Sequence, residues 1–310
     1  MIRVGLVRNL ASTANRIRGP EPVPEGVILV EATSPGALDA GLARLRNAGA
    51  GLIVIDGGDG TVREVVSRLV PVFGPSPPVL AIRARGNTNL VARRVGSLQS
   101  GEATAKLVAS ARKGQLPAGR SVAVLKIDRG AGVAVLRGFI IGWGLYETGT
   151  RISNADTATR GARKVISAVA AAIGSTVQGG EASVLRHGIA AGLLIDGQPA
   201  PAARRLLGLA TTLDGRLVAG LSPFWPGPGD GPIRWTDILA PAPAFAVTAP
   251  FIAFGVRVPW MSRTAYRSGR AHGLALTMTE GVILDGERFD AGPHGHVRIS
   301  AQEHLTFVAG

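Results

Sequence analysis

Along the first third of the chain, short continuous apolar runs alternate with stretches in which apolar residues recur every three or four positions. Strands buried on both faces of a parallel sheet read as unbroken apolar segments, whereas helices lying on such a sheet show a single apolar stripe. Ile2–Val7, Leu52–Ile55 and Val79–Ile82 are runs of the first kind. Between them, Ser34-Pro35 supplies a helix cap and a first-turn proline, Leu38, Leu42 and Leu45 share one face, and Gly49 closes the element. A second helix places Val62, Val65, Val66 and Leu69 inward, and two more helical stretches follow near Asn89–Val95 and Glu102–Lys113. This β-α-β-α rhythm predicts a parallel sheet with helices on its faces.

After "KGQLPAGRS" the pattern changes to short alternating segments: Val122–Ile127, Gly132–Ile141, Ile189–Ile195, Arg205–Leu209, Arg216–Leu221, Ala246–Val258, Gly273–Met278, Val282–Leu284, Val297–Ile299 and Leu305–Val308. Asp-Gly at 196–197, 214–215 and 285–286 stands between apolar residues, a short-hairpin signal. One helix is expected around Thr157–Ile173. The pattern predicts a three-layer α/β domain over residues 1–118. A mainly antiparallel β domain follows over 119–310, its last strands free to return to the first.

Composition narrows the partners. Hydrophobic residues are 46% and charged residues 18%, so the chain can bury a core and is not disordered. Without cysteine, disulfides and thiolate metal sites are excluded. The formal charge of +13 favours anionic partners. It comes almost wholly from arginines that form no dense basic run interleaved with aromatics, so nucleic acid is not an expected partner. Arg3, Arg8, Arg16 and Arg18 break up the first apolar runs, against a secretory leader. Ile238–Val256 is uncharged but contains Pro241, Pro243 and Pro250, which favours strand and loop over a spanning helix. The expected location is the cytoplasm, peripheral to a membrane.

The candidate chemistry begins at "GGDGT", Gly57–Thr61, directly after a buried strand and running into a helix. Backbone N–H groups free of side chains at a helix start can cradle an anion, and Thr61 adds a hydroxyl. Asp59 would position a metal or water on a bound phosphate, or hold the loop through its own backbone bonds. A plain strand-to-helix turn explains the same residues without a ligand. Arg8, Arg16, Arg18 and Arg63 are candidates to neutralise phosphate charge, and each also reads as a solvated surface group. Glu64 could hold a ribose, hold the loop, or complement the helix dipole. His294 and His296, two residues apart, have no obvious third ligand and read as a surface pair.

"GGDGTVREVV" at 57–66 resembles the nucleotide loop of the diacylglycerol kinase catalytic-domain family, whose relatives include sphingosine and ceramide kinases and which shares its fold with NAD kinases. Three further segments occur in the family's order. "VRNLASTANR" at 7–16 is similar to the Asn-Pro-x-Ser-Gly motif through Asn9 and Ser12, with Leu10 for the proline and Thr13 for the glycine. "VLAIRARGNTNLVARRVG" at 79–96 matches the next motif at Gly86, Asn89, Ala92 and Arg93. It departs from it at Ala84, Asn87 and Leu90, which stand for Pro, Thr and Asp. "VILDGERF" at 282–289 is similar to the late Asp-Gly-Glu motif, which carries the family's general base. "GWGLYETG" at 142–149 resembles a family stretch near the substrate, so Trp143 and Tyr146 are candidates for a lipid pocket as well as for plain core packing.

The resemblance implies an α/β nucleotide-binding domain followed by a β-sandwich, and an ATP-dependent lipid kinase using Mg²⁺. Its nucleotide site would comprise Asn9, Gly57, Gly58, Asp59, Gly60, Thr61, Glu64, Gly86 and Asn89, with Asp59 toward the metal. Asp285 would be the general base, with Glu287 as its partner. By local pattern alone Asp285-Gly286 is equally a hairpin turn, like Asp196-Gly197 and Asp214-Gly215. The implied partner is a lipid such as diacylglycerol, ceramide or a sphingoid base at an anionic membrane surface on the inner face, with a homodimer left open. An NAD kinase-like enzyme and a non-catalytic lipid- or nucleotide-binding protein are the alternatives.

Overall fold

The computed structural model describes residues 1–147, 187–217 and 220–309. The chain forms two compact units: Met1–Val122 with His304–Gly310, and Ala123–Glu303.

In the first unit, β1 (Arg3–Arg8), β2 (Ile28–Glu31), β3 (Ala50–Gly57) and β4 (Val79–Ala84) form a parallel sheet in the order β2-β1-β3-β4. The end of the last strand, β16 (His296–Val308), adds in parallel beside β4, pairing Phe307 with Leu80 and Val308 with Ala81. The sheet carries helices on both faces. On one, Leu107, Val108 and Ala111 of α5 (Gly101–Arg112) pack on Val4, Leu6, Leu52 and Val54. On the other lie α2 (Pro35–Asn47) and α3 (Asp59–Phe73), with Leu45 lying directly over Gly5, where a β-carbon would come within 2.6 Å of it. Burial from both sides explains the unbroken apolar runs of β1 and β3. Ser34 caps α2 as its sequence suggests, accepting the Ala37 N–H at 3.1 Å. Two short helices, α1 (Thr13–Arg18) and α4 (Leu90–Val95), follow β1 and β4.

The second unit is a sandwich of antiparallel strands. One sheet holds the start of β16 with β13 (Gly273–Met278), β8 (Ala191–Ile195) and β9 (Gln198–Pro199). Also on it are β5 (Arg120–Asp128), which begins in the first unit, and β6 (Leu136–Gly138). The other runs β12-β11-β10-β7-β14-β15, from Tyr266–Ala271, Ile233–Ala240, Arg204–Thr211, Ile140–Gly144, Val282–Leu284 and Glu287–Phe289 respectively. Leu125, Leu276 and Val297 of the first sheet meet Ile141, Trp143, Trp235 and Leu284 of the second in one core. Trp143 is therefore a core residue; its ring covers Gly208 so closely that a β-carbon there would lie 1.8 Å from Cε2.

Several expected boundaries change for physical reasons. The Gly132–Ile141 segment becomes β6 and β7, because the Phe139 N–H turns to the Asp285 carboxylate at 3.1 Å. Val297–Ile299 and Leu305–Val308 join into the single strand β16. The described residues of Arg216–Leu221 form no strand, and the helix expected around Thr157–Ile173 lies outside the described residues. Ala246–Val258 is not a strand: Phe245–Ala253 forms a helix, α6, that seats Thr248, Ala249 and Ile252 on the core. Strand propensity of valine and phenylalanine yields there to a packing stripe at helical spacing. β11 and β12, absent from the sequence pattern, hold the buried polar residues Thr236, Asp237 and Ser268, which hide the alternation.

Candidate functional site

Gly57 ends β3, Gly58 caps α3 and Gly60 lies in its first turn, so the glycines of the opening motif stand at the C-terminal edge of the parallel sheet, where such sheets commonly present ligand-binding loops. The loop does not stand alone. Gly58 lies against Gly86, in the loop after β4: a β-carbon on Gly58 would fall 2.9 Å from the Gly86 Cα, and one on Gly86 would fall 2.8 Å from the Gly58 Cα. Only two residues without side chains can approach so closely. A β-carbon on Gly57 would meet the Thr61 side chain at 2.5 Å, so α3 begins folded tightly back on its own strand.

Side chains then lock the paired loops. Asp59 reaches the start of α4, accepting the Leu90 N–H at 3.0 Å and the Val91 N–H at 3.1 Å. Those are orphan donors of the first helical turn, and α4 has no cap from its own Asn89. Burial pushes the Asp59 carboxyl above its ordinary value, with the bonds from Leu90 and Val91 and the charge of Arg93 opposing it. Asn89 adopts φ +48° and folds its amide onto Gly86, accepting the Gly86 N–H at 2.9 Å and donating to the Gly86 carbonyl at 2.7 Å. Asn9, at the end of β1, donates to the Thr61 hydroxyl at 2.9 Å. Asn9, Gly57, Gly58, Asp59, Thr61, Gly86 and Asn89 thus form one hydrogen-bonded constellation at the ends of β1, β3 and β4. Gly60 occupies the first turn of α3. Glu64, one turn on, pairs with Arg63 at 2.5 Å and with Arg68.

Beneath these loops sits a charged cluster that sequence reasoning missed. Arg8, Asp56 and Arg83 are register partners across β1, β3 and β4. The fully buried Asp56 receives Arg8 Nε at 3.0 Å and Arg85 Nε at 3.1 Å, with Arg83 Nη1 at 3.6 Å. Glu21 closes the other side, 2.5 Å from Arg83 and also bonded to Arg85. Burial lowers the Arg83 pKa from its ordinary value, and the charge of Asp56 opposes this. Arg8 is thereby engaged with a carboxylate, Arg63 is buried against Glu64, and Arg16 and Arg18 are exposed at the end of α1. The alternation of arginine and apolar residues in "IRARG" was the available signal: in a strand, Arg83 and Arg85 point to one face.

In the second unit, Asp285 and Gly286 make a two-residue hairpin between β14 and β15, with φ +47° and +89°. The Asp285 carboxylate is half-buried and accepts N–H bonds from Phe139 at 3.1 Å and Ile140 at 2.9 Å. Glu287 is exposed on β15. Asp196 occupies the same conformation, φ +49°, in the β8–β9 hairpin and accepts the His272 and Gly273 N–H groups at 2.8 Å each, but it is exposed. Asp214-Gly215 is not a strand hairpin. His296 meets Thr277 at 3.3 Å and His294 is exposed; no group of three His, Asp or Glu among the described residues could hold a metal ion.

Residues 20–120, which include both interlocked loops, match the sequence profile of the diacylglycerol kinase catalytic domain. No curated protein sequence matches the chain. Among solved structures, a diacylglycerol kinase from Bacillus anthracis str. Sterne superposes with a TM-score of 0.61, at 16% identity, covering 99% of this chain and 97% of that one. A candidate diacylglycerol kinase from the same organism gives 0.66 at 17% identity, with the same coverage. At these identities the likeness establishes the fold: an α/β unit with a parallel sheet and an antiparallel β unit. The family likeness in sequence is confined to residues 20–120, and this segment, with its two interlocked glycine loops, is similar to the diacylglycerol kinase catalytic domain.

Proposed function

We propose that the protein transfers the γ-phosphoryl group of ATP to the hydroxyl of a membrane lipid such as diacylglycerol, ceramide or a sphingoid base, at an anionic surface on the cytoplasmic side of a membrane. The observation that carries this reading is the pair of loops joined at Gly58 and Gly86 and tied by Asp59 and Asn89, within the segment that matches the kinase profile. Loops held in this way keep their backbone donors fixed before a nucleotide arrives, which reduces the ordering cost of binding.

The roles follow from the chemistry. Gly57, Gly58, Gly60 and Thr61 would face the phosphates, with Asn9 orienting Thr61. Mg²⁺ would neutralise charge on the transferring phosphoryl group. The donor set fits a metal carried mainly by the nucleotide: Asp59 is the carboxylate in the loop, and both its oxygens already accept backbone N–H groups. In the second unit, the Phe139 and Ile140 N–H groups orient the Asp285 carboxylate. As the lipid oxygen bonds to the γ-phosphorus and the bond to the bridging oxygen breaks, the hydroxyl proton passes to Asp285 and ADP leaves.

The test is transfer of γ-labelled phosphate from ATP, with Mg²⁺, to a panel of dispersed lipids and to NAD, resolved by chromatography. A labelled lipid supports the reading and names the substrate. A labelled NAD product replaces it with an NAD kinase, and labelling of neither leaves a binding protein.

A further inference from the structure

Helix α6 has an unusual composition for a surface helix. "FAVTAPFIA" contains no charged residue, and Thr248, Ala249 and Ile252 already form its buried stripe. The opposite face of a globular surface helix is normally polar. Here it offers Val247 and Phe251, and the turn that follows adds Phe254, Val256 and Trp260. Nine large hydrophobic side chains are exposed among the described residues. Five of them fall within 247–260, so the exposure is concentrated in one segment and not scattered.

The segment is firmly built. The Ser222 N–H bonds to the Ala253 carbonyl at 2.8 Å. Gly255, at φ +69°, lies so close to the Ser222 and Phe224 carbonyls that a β-carbon would come within 2.5 Å of both. That turn projects Phe254 and Val256 outward. Phe251 and Trp260 meet edge to face, centroids 5.7 Å apart. Arg257 and Arg263 are exposed among these apolar residues. No aspartate or glutamate occurs from Ile238 to Thr279, a span that holds four arginines.

We propose that α6 and the following turn are a membrane-docking element, in which Val247, Phe251, Phe254, Val256 and Trp260 enter the headgroup region of an anionic bilayer while Arg257 and Arg263 engage lipid phosphates. Protruding aromatic and aliphatic side chains with exposed Arg257 and Arg263 beside them in sequence, in a span without acids, match an interface that is apolar inside and negative at its rim. A second copy of this chain is the poorer match, because it would bring two acid-free basic surfaces of a +13 protein together. The element deepens the lipid kinase reading by supplying access to a substrate dissolved in the bilayer, but the docking itself does not require catalysis.

Trp143, Trp225 and Trp235 are buried and Trp260 is exposed, so a lipid-dependent change in tryptophan emission reports the element. The full chain is titrated with phosphatidylcholine vesicles containing phosphatidylglycerol, read by emission and by sedimentation. A blue shift is expected, with quenching by lipids brominated near the headgroup. Phe254→Asp should weaken partitioning roughly tenfold or more, and Arg257→Glu or Arg263→Glu by roughly fivefold each, with the loss reproduced by high salt. Detergent-dispersed lipid should still be phosphorylated by Phe254→Asp at the wild-type rate. Vesicle binding by Phe254→Asp equal to wild type overturns the proposal. So does a dimer that Phe254→Asp dissociates in the absence of vesicle binding, which would make this face an interface between copies. Vesicle binding without phosphorylation of any lipid would instead overturn the kinase reading alone, and phosphorylation of dispersed lipid without vesicle binding the docking alone.

Discussion

The Asp285 carboxylate accepts N–H bonds from Phe139 and Ile140, and the Asp196 carboxylate accepts them from His272 and Gly273. Each aspartate heads a two-residue hairpin at positive φ. The hairpins do not tell a base from a turn residue; burial is the local difference, Asp285 being half-buried and Asp196 exposed. Asparagine also favours this turn, and its amide oxygen can accept the same N–H groups. Asp285→Asn should therefore hold its melting temperature and nucleotide affinity while the rate of phosphoryl transfer falls by about 10²–10⁴, the usual contribution of a general base. Asp196→Asn should keep near-normal turnover. Steady-state kinetics and thermal melts on both variants check this; a dead Asp196→Asn enzyme with an active Asp285→Asn enzyme would move the base to the other hairpin.

At the scale of elements, the loops after β3 and β4 behave as one part. Gly58 and Gly86 set their distance, Asp59 supplies the missing cap of α4, and Asn89 closes its own loop. Gly58→Ala places a methyl group 2.9 Å from the Gly86 Cα, where backbone must move to make room. We expect a loss of about 1–3 kcal/mol in stability, as for other overpacked sites, and weaker ATP binding because the two loops separate. Gly36→Ala is the control: it lies in α2, a β-carbon there meets nothing within 4 Å, and it should gain up to about 0.5 kcal/mol. Urea unfolding and nucleotide titration distinguish the two. Equal stability and affinity for both variants would show that the glycine contact constrains nothing.

For the molecule as a whole, the last seven residues complete the first unit although the preceding strand residues belong to the second. Leu305, Phe307 and Val308 are buried, and without them β4 keeps β3 but loses its parallel neighbour on the other side. Deleting residues 304–310 should therefore unfold the first unit preferentially. All four tryptophans lie in the second unit, so their emission should stay close to native while helical ellipticity and ATP binding fall. A truncated chain that retains full ATP affinity and a single unchanged unfolding transition would contradict this division of stability.

The parallel sheet and its helices were legible in the chain because burial on two faces leaves continuous apolar runs and one apolar stripe per helix, and Ser34-Pro35 marks a start that no other contact is needed to define. The Asp-Gly hairpins at 196 and 285 were legible because φ > 0 at both central residues is a local demand. The glycine loop could be located by sequence, but its reason could not: Gly58 is glycine because Gly86, 28 positions away, comes into contact with it, and no local pattern encodes that approach. The same holds for Asp59 capping a helix 31 residues later and for Arg8, Asp56, Arg83 and Arg85 neutralising one another under the loops. α6 shows the reverse, since Val247, Phe245 and Phe251 favour a strand by themselves, whereas burial of Thr248, Ala249 and Ile252 at helical spacing, with Ile252 in the second unit's core, accompanies a helix. Local backbone preferences and burial periodicity act over a few residues and are written in order along the chain. Contacts between distant segments depend on which surfaces folding brings together, and there the tertiary structure alone decides.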